Sequence, residues 1–327
     1  MGRGGARPLS ANLLLAALSL AVSLLVAEGI VRVFGLGPPR GAAPAQEPAQ
    51  GDERRNSLGF RGPEWTPEPA AGTARVLFIG DSFTYGRGVG EENLFTSVAA
   101  RELSTSSRPV ESVNVSKPGW DTHDEVAALE KWGLGYHPGL VVIVFFLNDA
   151  THLDSNPAIA WRMNRELNQR DGWLNRASRL YDTADYAIRK WSVTRQTVAD
   201  YRDSYLGSPE HSALWERCRL ALARGRDLCR ERSVPMCVVI FPMLVRLDRN
   251  HPFRDVHEAV AGACREIGVP VLDLLGAFEG RDGHSLWLAP NNAHPNIEGH
   301  EIAGKAIAAF IRERGLLDGP GAHPAGS

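Results

Sequence analysis

Motifs that define several cofactor-dependent and metal-dependent enzyme classes are missing from this 327-residue sequence. It has no GxxxxGK[ST] phosphate loop, no GxGxxG dinucleotide loop and no HExxH zinc motif. Its four cysteines show no CxxC spacing, which argues against a zinc ribbon or a thioredoxin-like redox motif. We therefore predict no cofactor and no metal site.

A strong charge of one sign is also missing. The chain has 36 basic and 38 acidic residues, and the two signs alternate along its length. This balance gives no nucleic-acid footprint and no polyacidic tail, so the expected partner is a neutral or small molecule. Buried free thiols are the expected state of the cysteines, although one disulfide is compatible with an exported domain. Nothing in the sequence indicates the oligomeric state.

The N-terminus combines a positive flank with an apolar run. Arg3 and Arg7 precede residues Leu13 to Phe34, about 22 residues, which is long enough to cross a bilayer. We predict a signal-anchor at 12–36, with 1–11 in the cytoplasm and the rest of the chain outside it, as a membrane or cell-surface protein. A cleaved signal peptide and a buried helix of the folded domain remain alternatives.

Two segments have compositions that do not support a packed core. Residues 37–72 are rich in Pro, Ala, Gly and Gln, and residues 315–327 are similar. Such segments bury too little apolar surface to fold alone, so we predict a linker and a disordered tail.

Between them, apolar strands alternate with amphipathic helices over residues 73–314. The strands are expected near 75–80, 113–115, 140–147, 237–241 and 269–274. This alternation predicts a parallel sheet with helices on both faces and a ligand site at the carboxyl ends of the strands. Residues 150–207 interrupt the alternation, and we interpret them as an irregular helical insertion that forms a lid or substrate-binding cap.

Two residues stand where acyl-transfer chemistry would need them. Ser82 follows Gly80 and Asp81 directly after a buried strand, and the next helix offers unpaired N–H groups. A serine hydroxyl needs a base, and His294 is the best candidate because its loop follows the last strand. Each motif alone has a structural explanation, but their order along the chain favours a Ser-His pair.

These residues fall in four blocks that resemble the SGNH/GDSL hydrolases. The blocks are Gly80-Asp-Ser-Phe-Thr-Tyr-Gly86, Gly119, Leu147-Asn148-Asp149 and His294-Pro295-Asn296. The segment Asn56 to Gly62 resembles the connection between anchor and hydrolase domain in membrane-tethered members. The resemblance implies an α/β fold, namely a three-layer α/β/α sandwich with a doubly wound, mainly parallel five-stranded sheet of the flavodoxin-like kind.

The resemblance also implies roles. Ser82 would attack an ester carbonyl, and His294 would accept and return its proton. The backbone N–H groups of Ser82 and Gly119 and the side chain of Asn148 would form the oxyanion hole. The family usually has an aspartate three residues before the histidine, where this chain has Asn291. We therefore expect a dyad oriented by Asn291 or a main-chain carbonyl, unless an acid elsewhere completes a triad.

The predicted function is removal of small acyl groups from a glycan or another surface ester. The same serine and histidine could instead transfer an acyl group to a polysaccharide. A catalytically impaired glycan-binding domain is the third alternative, and the missing aspartate is the only observation that suggests it.

Overall fold

The structure is a computed structural model that describes residues 9–38, 53–150, 167, 169–207, 209–289 and 292–318. The chain divides into two compact units. Residues 1–44 and 157–197 form the first, which we call the helical unit, and residues 45–156 and 198–327 form the second, the sheet unit.

The sheet unit contains five parallel strands in the order β2-β1-β3-β4-β5. They are β1 (Ala74–Gly80), β2 (Val110–Ser116), β3 (Leu140–Phe145), β4 (Met236–Ile240) and β5 (Val271–Asp273). The order reverses after β2, because β3 returns to the other side of β1. The predicted doubly wound α/β sheet is confirmed.

Helices cover both faces of this sheet. The helices of the described chain are α1 (Leu9–Val33), α2 (Ser82–Tyr85), α3 (Phe95–Leu103), α4 (Thr122–Lys131), α5 (Trp173–Ala177), α6 (Arg179–Leu206), α7 (Pro209–Glu231), α8 (Arg254–Glu266), α9 (Leu275–Phe278) and α10 (Ile297–Glu313). Helices α3 and α10 pack on the face that carries Phe78 and Val142, and α4 and α7 pack over Leu77 and Ile143. Every residue of β3 is buried, as its continuous apolar sequence predicts.

A short antiparallel pair follows the main sheet and was not predicted. Strand β6 (Trp287–Ala289) pairs with β7 (Asn292–Pro295), and β7 carries His294. His294 therefore lies on a strand and not in a loop. The backbone pairing of β7 with β6 fixes the position of the imidazole better than a free loop would.

Residues 53–72, predicted as part of a loose linker, pack onto the sheet unit. The Asn56 Oδ1 closes a turn by accepting two backbone N–H groups, at 3.0 and 3.1 Å. Phe60 is fully buried, and its ring centroid lies 5.5 Å from that of Trp132. Arg75 donates to two carbonyls of the segment, at 2.7 and 2.9 Å. The linker prediction is corrected here, because one buried aromatic ring supplies apolar contact that the composition did not reveal.

The start of the predicted tail is packed as well. Leu317 is buried, and Arg108 donates to the Asp318 carboxylate at 2.9 Å. The rest of that tail and of the predicted linker lies outside the described residues.

The helical unit contains α1, α5 and the part of α6 up to Thr197. Most of the described part of the predicted insertion is regular helix. Helix α6 alone runs for 28 residues. Its proposed role as a lid stays a prediction.

Candidate active site

The turn that carries Ser82 is built from the end of β1. A Cβ at Gly80 would overlap the Thr84 hydroxyl, so only glycine allows the chain to turn this tightly. Asp81 caps α2 by accepting the Phe83 N–H at 2.8 Å. Gly86 ends the helix with φ of 68°, a left-handed conformation that favours glycine. Ser82 thus occupies the first position of a one-turn helix that directly follows β1.

Ser82 and His294 lie within hydrogen-bond distance although 212 residues separate them. The Ser82 Oγ and the His294 Nε2 are 2.9 Å apart. The Phe83 ring lies 5.1 Å from the imidazole and stacks on Phe146 at 3.9 Å, which supports the imidazole from one side. The structure thus brings together the two residues that the sequence predicts as nucleophile and base, and these roles stay a prediction.

Asn292 orients the imidazole. Its Oδ1 lies 3.1 Å from the backbone N–H of His294 and 2.6 Å from the ring Nδ1. A backbone N–H only donates, so the shared Asn292 atom is the oxygen, and Nδ1 carries the proton. Nε2 is then the acceptor that faces Ser82. Asn291, the predicted orienting residue, lies outside the described residues.

His294 is held in its neutral form. Burial and the positive charge of Arg87 lower the pKa of His294 to about 4. The imidazole is therefore uncharged at neutral pH and can accept the serine proton.

The ends of three neighbouring strands are connected by Asn148. Its Nδ2 donates to the Trp120 carbonyl at 3.2 Å, and its side chain also bonds to Asp81. Asp81 follows β1, Trp120 follows β2, and Asn148 follows β3. Gly119 has φ of 84° and open space at its Cβ position. The predicted oxyanion residues thus lie on turns at this end of the sheet.

A group of buried acids lies among the same strand ends, and the sequence analysis missed it. Burial raises the pKa of Asp81 to about 6. Burial and neighbouring negative charges raise the pKa of Glu125 and of Asp149 well above the usual range. Both carboxylate oxygens of Glu125 lack a hydrogen-bond partner among the described residues. Thr122 donates to Asp149 at 2.8 Å. Each of these carboxyls therefore keeps its proton to a higher pH than a solvated carboxyl does.

The remaining histidines of interest are structural. His300 is buried in α10, and its Nδ1 accepts the Phe95 N–H at 3.2 Å. His251 and His257, near the start of α8, are also buried. His257 bonds to Asp273 at 2.9 Å, which explains how α8 accommodates it.

One acidic group has the spacing of metal ligands. Asp121, His123 and Asp124 each place a ligand atom within 4.8 Å of the others. Asp121 already caps α4 by accepting the Asp124 N–H at 2.9 Å. We assign no metal to this group, because the cap explains the position of Asp121.

The profile of the GDSL-like Lipase/Acylhydrolase family matches residues 78–302. This match covers more than half of the chain and includes Ser82, Gly119, Asn148 and His294. The chain therefore belongs to the GDSL-like lipase/acylhydrolase family and is a hydrolase that acts on esters.

Solved structures of similar fold come from several bacteria. The acetylxylan esterase Axe2 of Geobacillus stearothermophilus is 17% identical, with a TM-score of 0.46 over 73% of this chain and 94% of that chain. A lipase/acylhydrolase of Enterococcus faecalis is 17% identical, with a TM-score of 0.45 over 74% of this chain and 96% of that chain. A putative lipolytic protein of the G-D-S-L family from Desulfitobacterium hafniense is 14% identical, with a TM-score of 0.42 over 72% of this chain and 99% of that chain. No curated protein matches the chain.

Proposed function

We propose that this protein is a membrane-anchored serine esterase that removes small acyl groups from a glycan or another surface ester outside the cytoplasm. The observation that carries the proposal is the 2.9 Å separation between Ser82 Oγ and His294 Nε2, with the ring proton placed on Nδ1. This separation favours an enzyme over a binding domain, which would not need an activated hydroxyl.

The reaction begins when His294 removes the Ser82 proton and the serine oxygen attacks the ester carbonyl. Negative charge then develops on the carbonyl oxygen. The N–H groups of Ser82 and Gly119 hold this oxyanion, and so does the Asn148 amide when its N–H group leaves the Trp120 carbonyl. The imidazolium returns its proton to the leaving alcohol, and water repeats the sequence to release the acid.

This mechanism uses a dyad. Asn292 accepts the Nδ1 proton and fixes the tautomer, but an amide does not neutralise the imidazolium as a carboxylate would. Amide-for-acid replacement lowers turnover by about 10⁴-fold in a serine protease. We therefore expect modest turnover numbers from this enzyme.

The proposed anchor is the apolar part of α1. Residues Ser10–Val33 are long and apolar enough to cross a bilayer. The positive charges of Arg3 and Arg7 precede it, which favours a cytoplasmic N-terminus and an outward-facing sheet unit. An enzyme in this orientation meets surface esters.

The test is hydrolysis of p-nitrophenyl esters of increasing chain length by the full-length protein in detergent, with Ser82→Ala as the control. We expect activity with preference for acetate, and labelling of Ser82 by a fluorophosphonate probe. A folded protein whose Ser82 does not react would favour a binding domain. Activity that appears only when a sugar acceptor is added would favour acyl transfer.

A further inference from the structure

The first turns of α6 bury charged side chains and expose apolar ones, which is the reverse of a helix that packs in water. Asp182 has a side chain only 2% exposed, and it pairs with Arg170 at 3.0 Å and with Arg179 at 3.2 Å. One turn further on, Asp185 accepts from Asn175 at 2.8 Å and from Arg189 at 2.9 Å. Asp182 and Asp185 therefore face the interior of the helical unit.

The opposite side of α6 is apolar and exposed. Tyr181, Ala184, Ile188 and Trp191 follow the spacing of one helix face, which we call the outer face. Ile188 is 67% exposed and Trp191 is 63% exposed. None of the four side chains of the outer face is charged. On the preceding helix α5, Trp173 is 72% exposed.

The outer face begins where the apolar helix α1 ends. The Glu28 carboxylate accepts the backbone N–H groups of Arg179 at 2.9 Å and Leu180 at 2.8 Å, and the Ser178 hydroxyl at 2.8 Å. Arg32, one turn later in α1, donates to the Ala177 carbonyl at 2.8 Å. A side chain of α1 thus caps the first turn of α6.

A second contact fixes the same junction. Gly37 has φ of 120°, and a Cβ there would overlap the Thr183 hydroxyl. The residues just after α1 therefore pack closely against the second turn of α6. This junction holds the start of α6 beside the end of the proposed membrane span.

We infer that the outer face of α6, together with Trp173, binds the lipid bilayer at headgroup level, as a second membrane contact beside the span. The inference rests on the proposed function in one respect, that α1 stays in the membrane. In water, burying ions is unfavourable, and so is exposing Ile188 and Trp191. At a lipid interface these two apolar side chains leave water, so their outward position becomes favourable.

The side chains suit an interface better than a protein partner. Trp and Tyr are enriched at the boundary between lipid and water, where their rings are partly apolar and partly hydrated. Arg195 lies 5.4 Å over the Trp191 ring, at the end of the outer face, and Lys190 is exposed nearby. These cations would meet anionic headgroups, as in amphipathic helices that lie in the plane of a membrane.

The test uses the full-length protein in vesicles of phosphatidylethanolamine and phosphatidylglycerol. An environment-sensitive NBD dye is attached to Ile188→Cys, and quenching by lipids with a doxyl group near the headgroup is measured. Leu220→Cys is the matched control, because Leu220 is an equally exposed apolar residue of the sheet unit, at 62% against 67%. Leu18→Cys, in α1, reports on the span. The four native cysteines are buried and should react little with the dye. Protein without an introduced cysteine measures this background labelling.

We expect quenching at position 188 that is several times the quenching at position 220, with every labelled protein retaining ester hydrolysis. Quenching at position 18 together with equal, weak signals at 188 and 220 would overturn the inference while the anchor stands. That result would indicate that another protein or a second copy covers the outer face. No quenching at position 18 would refute the anchor itself, and the inference with it.

Discussion

The two units bury ionisable groups in opposite ways. In the sheet unit, burial raises the pKa of Asp81 to about 6 and lowers the pKa of His294 to about 4, so both move toward their neutral forms. In the helical unit, Asp182 is equally buried but lies between Arg170 and Arg179. A buried group without a counter-charge becomes neutral, whereas a paired one keeps its charge. The first arrangement leaves His294 in the neutral form that the proposed mechanism needs, and the second leaves Asp182 paired inside the helical unit while Ile188 and Trp191 are exposed.

The largest effect is expected from removing Ser82, the proposed nucleophile, which tests whether ester hydrolysis depends on this residue of the sheet unit. Ser82→Ala should lower turnover by about 10⁶-fold, as loss of the serine does in other Ser-His enzymes. Quenching of the dye at position 188 should not change, because Ser82 and Ile188 belong to different units. Activity within tenfold of the wild type would show that another residue attacks the ester.

Asn148→Ala should lower kcat by about 10²- to 10³-fold, because one oxyanion donor is lost. Asn250→Ala is the control, since Asn250 is exposed. Steady-state hydrolysis of p-nitrophenyl acetate measures both variants. A loss of less than tenfold for Asn148→Ala would remove Asn148 from the oxyanion hole.

A carboxylate beside the His294 Nδ1 would pair with the protonated imidazole, as Asp182 pairs with arginines in the helical unit. The wild-type rate should fall as pH drops through about 4, because protonated His294 cannot accept the serine proton. Asn292→Asp should raise the pKa of His294 by about 1 to 3 units and increase turnover at pH 8.

The control for that experiment is Asn291→Asp, which should leave the acid limb of the pH–rate profile where it is. If instead Asn291→Asp shifts the limb and Asn292→Asp does not, Asn291 is the orienting residue after all.

Glu125→Gln tests the neutral state of the buried acids. The folded protein binds the Glu125 proton more tightly than the unfolded chain does, so stability falls as pH rises above the ordinary glutamate pKa. The wild type loses about 1.4 kcal/mol of unfolding free energy for each unit by which the pKa of Glu125 is raised. The glutamine variant does not ionise and should not show this loss. Urea unfolding between pH 5 and 9 measures it, with exposed Glu130→Gln as the control. Parallel curves for wild type and Glu125→Gln would contradict the prediction.

The smallest effect concerns two isoleucines in different surroundings. Ile143→Val in β3 should cost about 0.5 to 1.5 kcal/mol of unfolding free energy. Ile188→Val on the outer face should change it by less than about 0.5 kcal/mol in detergent. Ile143 is 0% exposed and Ile188 67%. Equal losses in urea unfolding would mean that Ile188 is buried in the folded protein.

The sheet and the Ser-His approach were predictable because they depend on local patterns. Continuous apolar runs such as β3 indicate buried parallel strands, and their alternation with helices sets the edge where Ser82 must lie. The pairing of β6 with β7 was not predictable, since β6 has only three residues. Two adjacent asparagines look alike in sequence, and the contact of the Asn292 Oδ1 with the His294 Nδ1 is visible only in the structure.

Longer-range contacts account for other differences. Asp121 caps α4, and the Thr122 hydroxyl donates to Asp149, 27 residues away. Phe60 was assigned to a linker because the residues around it are polar or small, and only its contact with Trp132 shows that it is buried. Tertiary partners of this kind leave no periodic signal in the sequence.

The bond from Glu28 to the first turn of α6 makes the N-terminal segment part of a folded structure. A peptidase that cut the chain after Val33 and let the released domain diffuse away would leave the N–H groups of Arg179 and Leu180 without their carboxylate acceptor. Cleavage at this point would thus expose backbone donors of the helical unit, a cost that the proposed uncleaved anchor avoids.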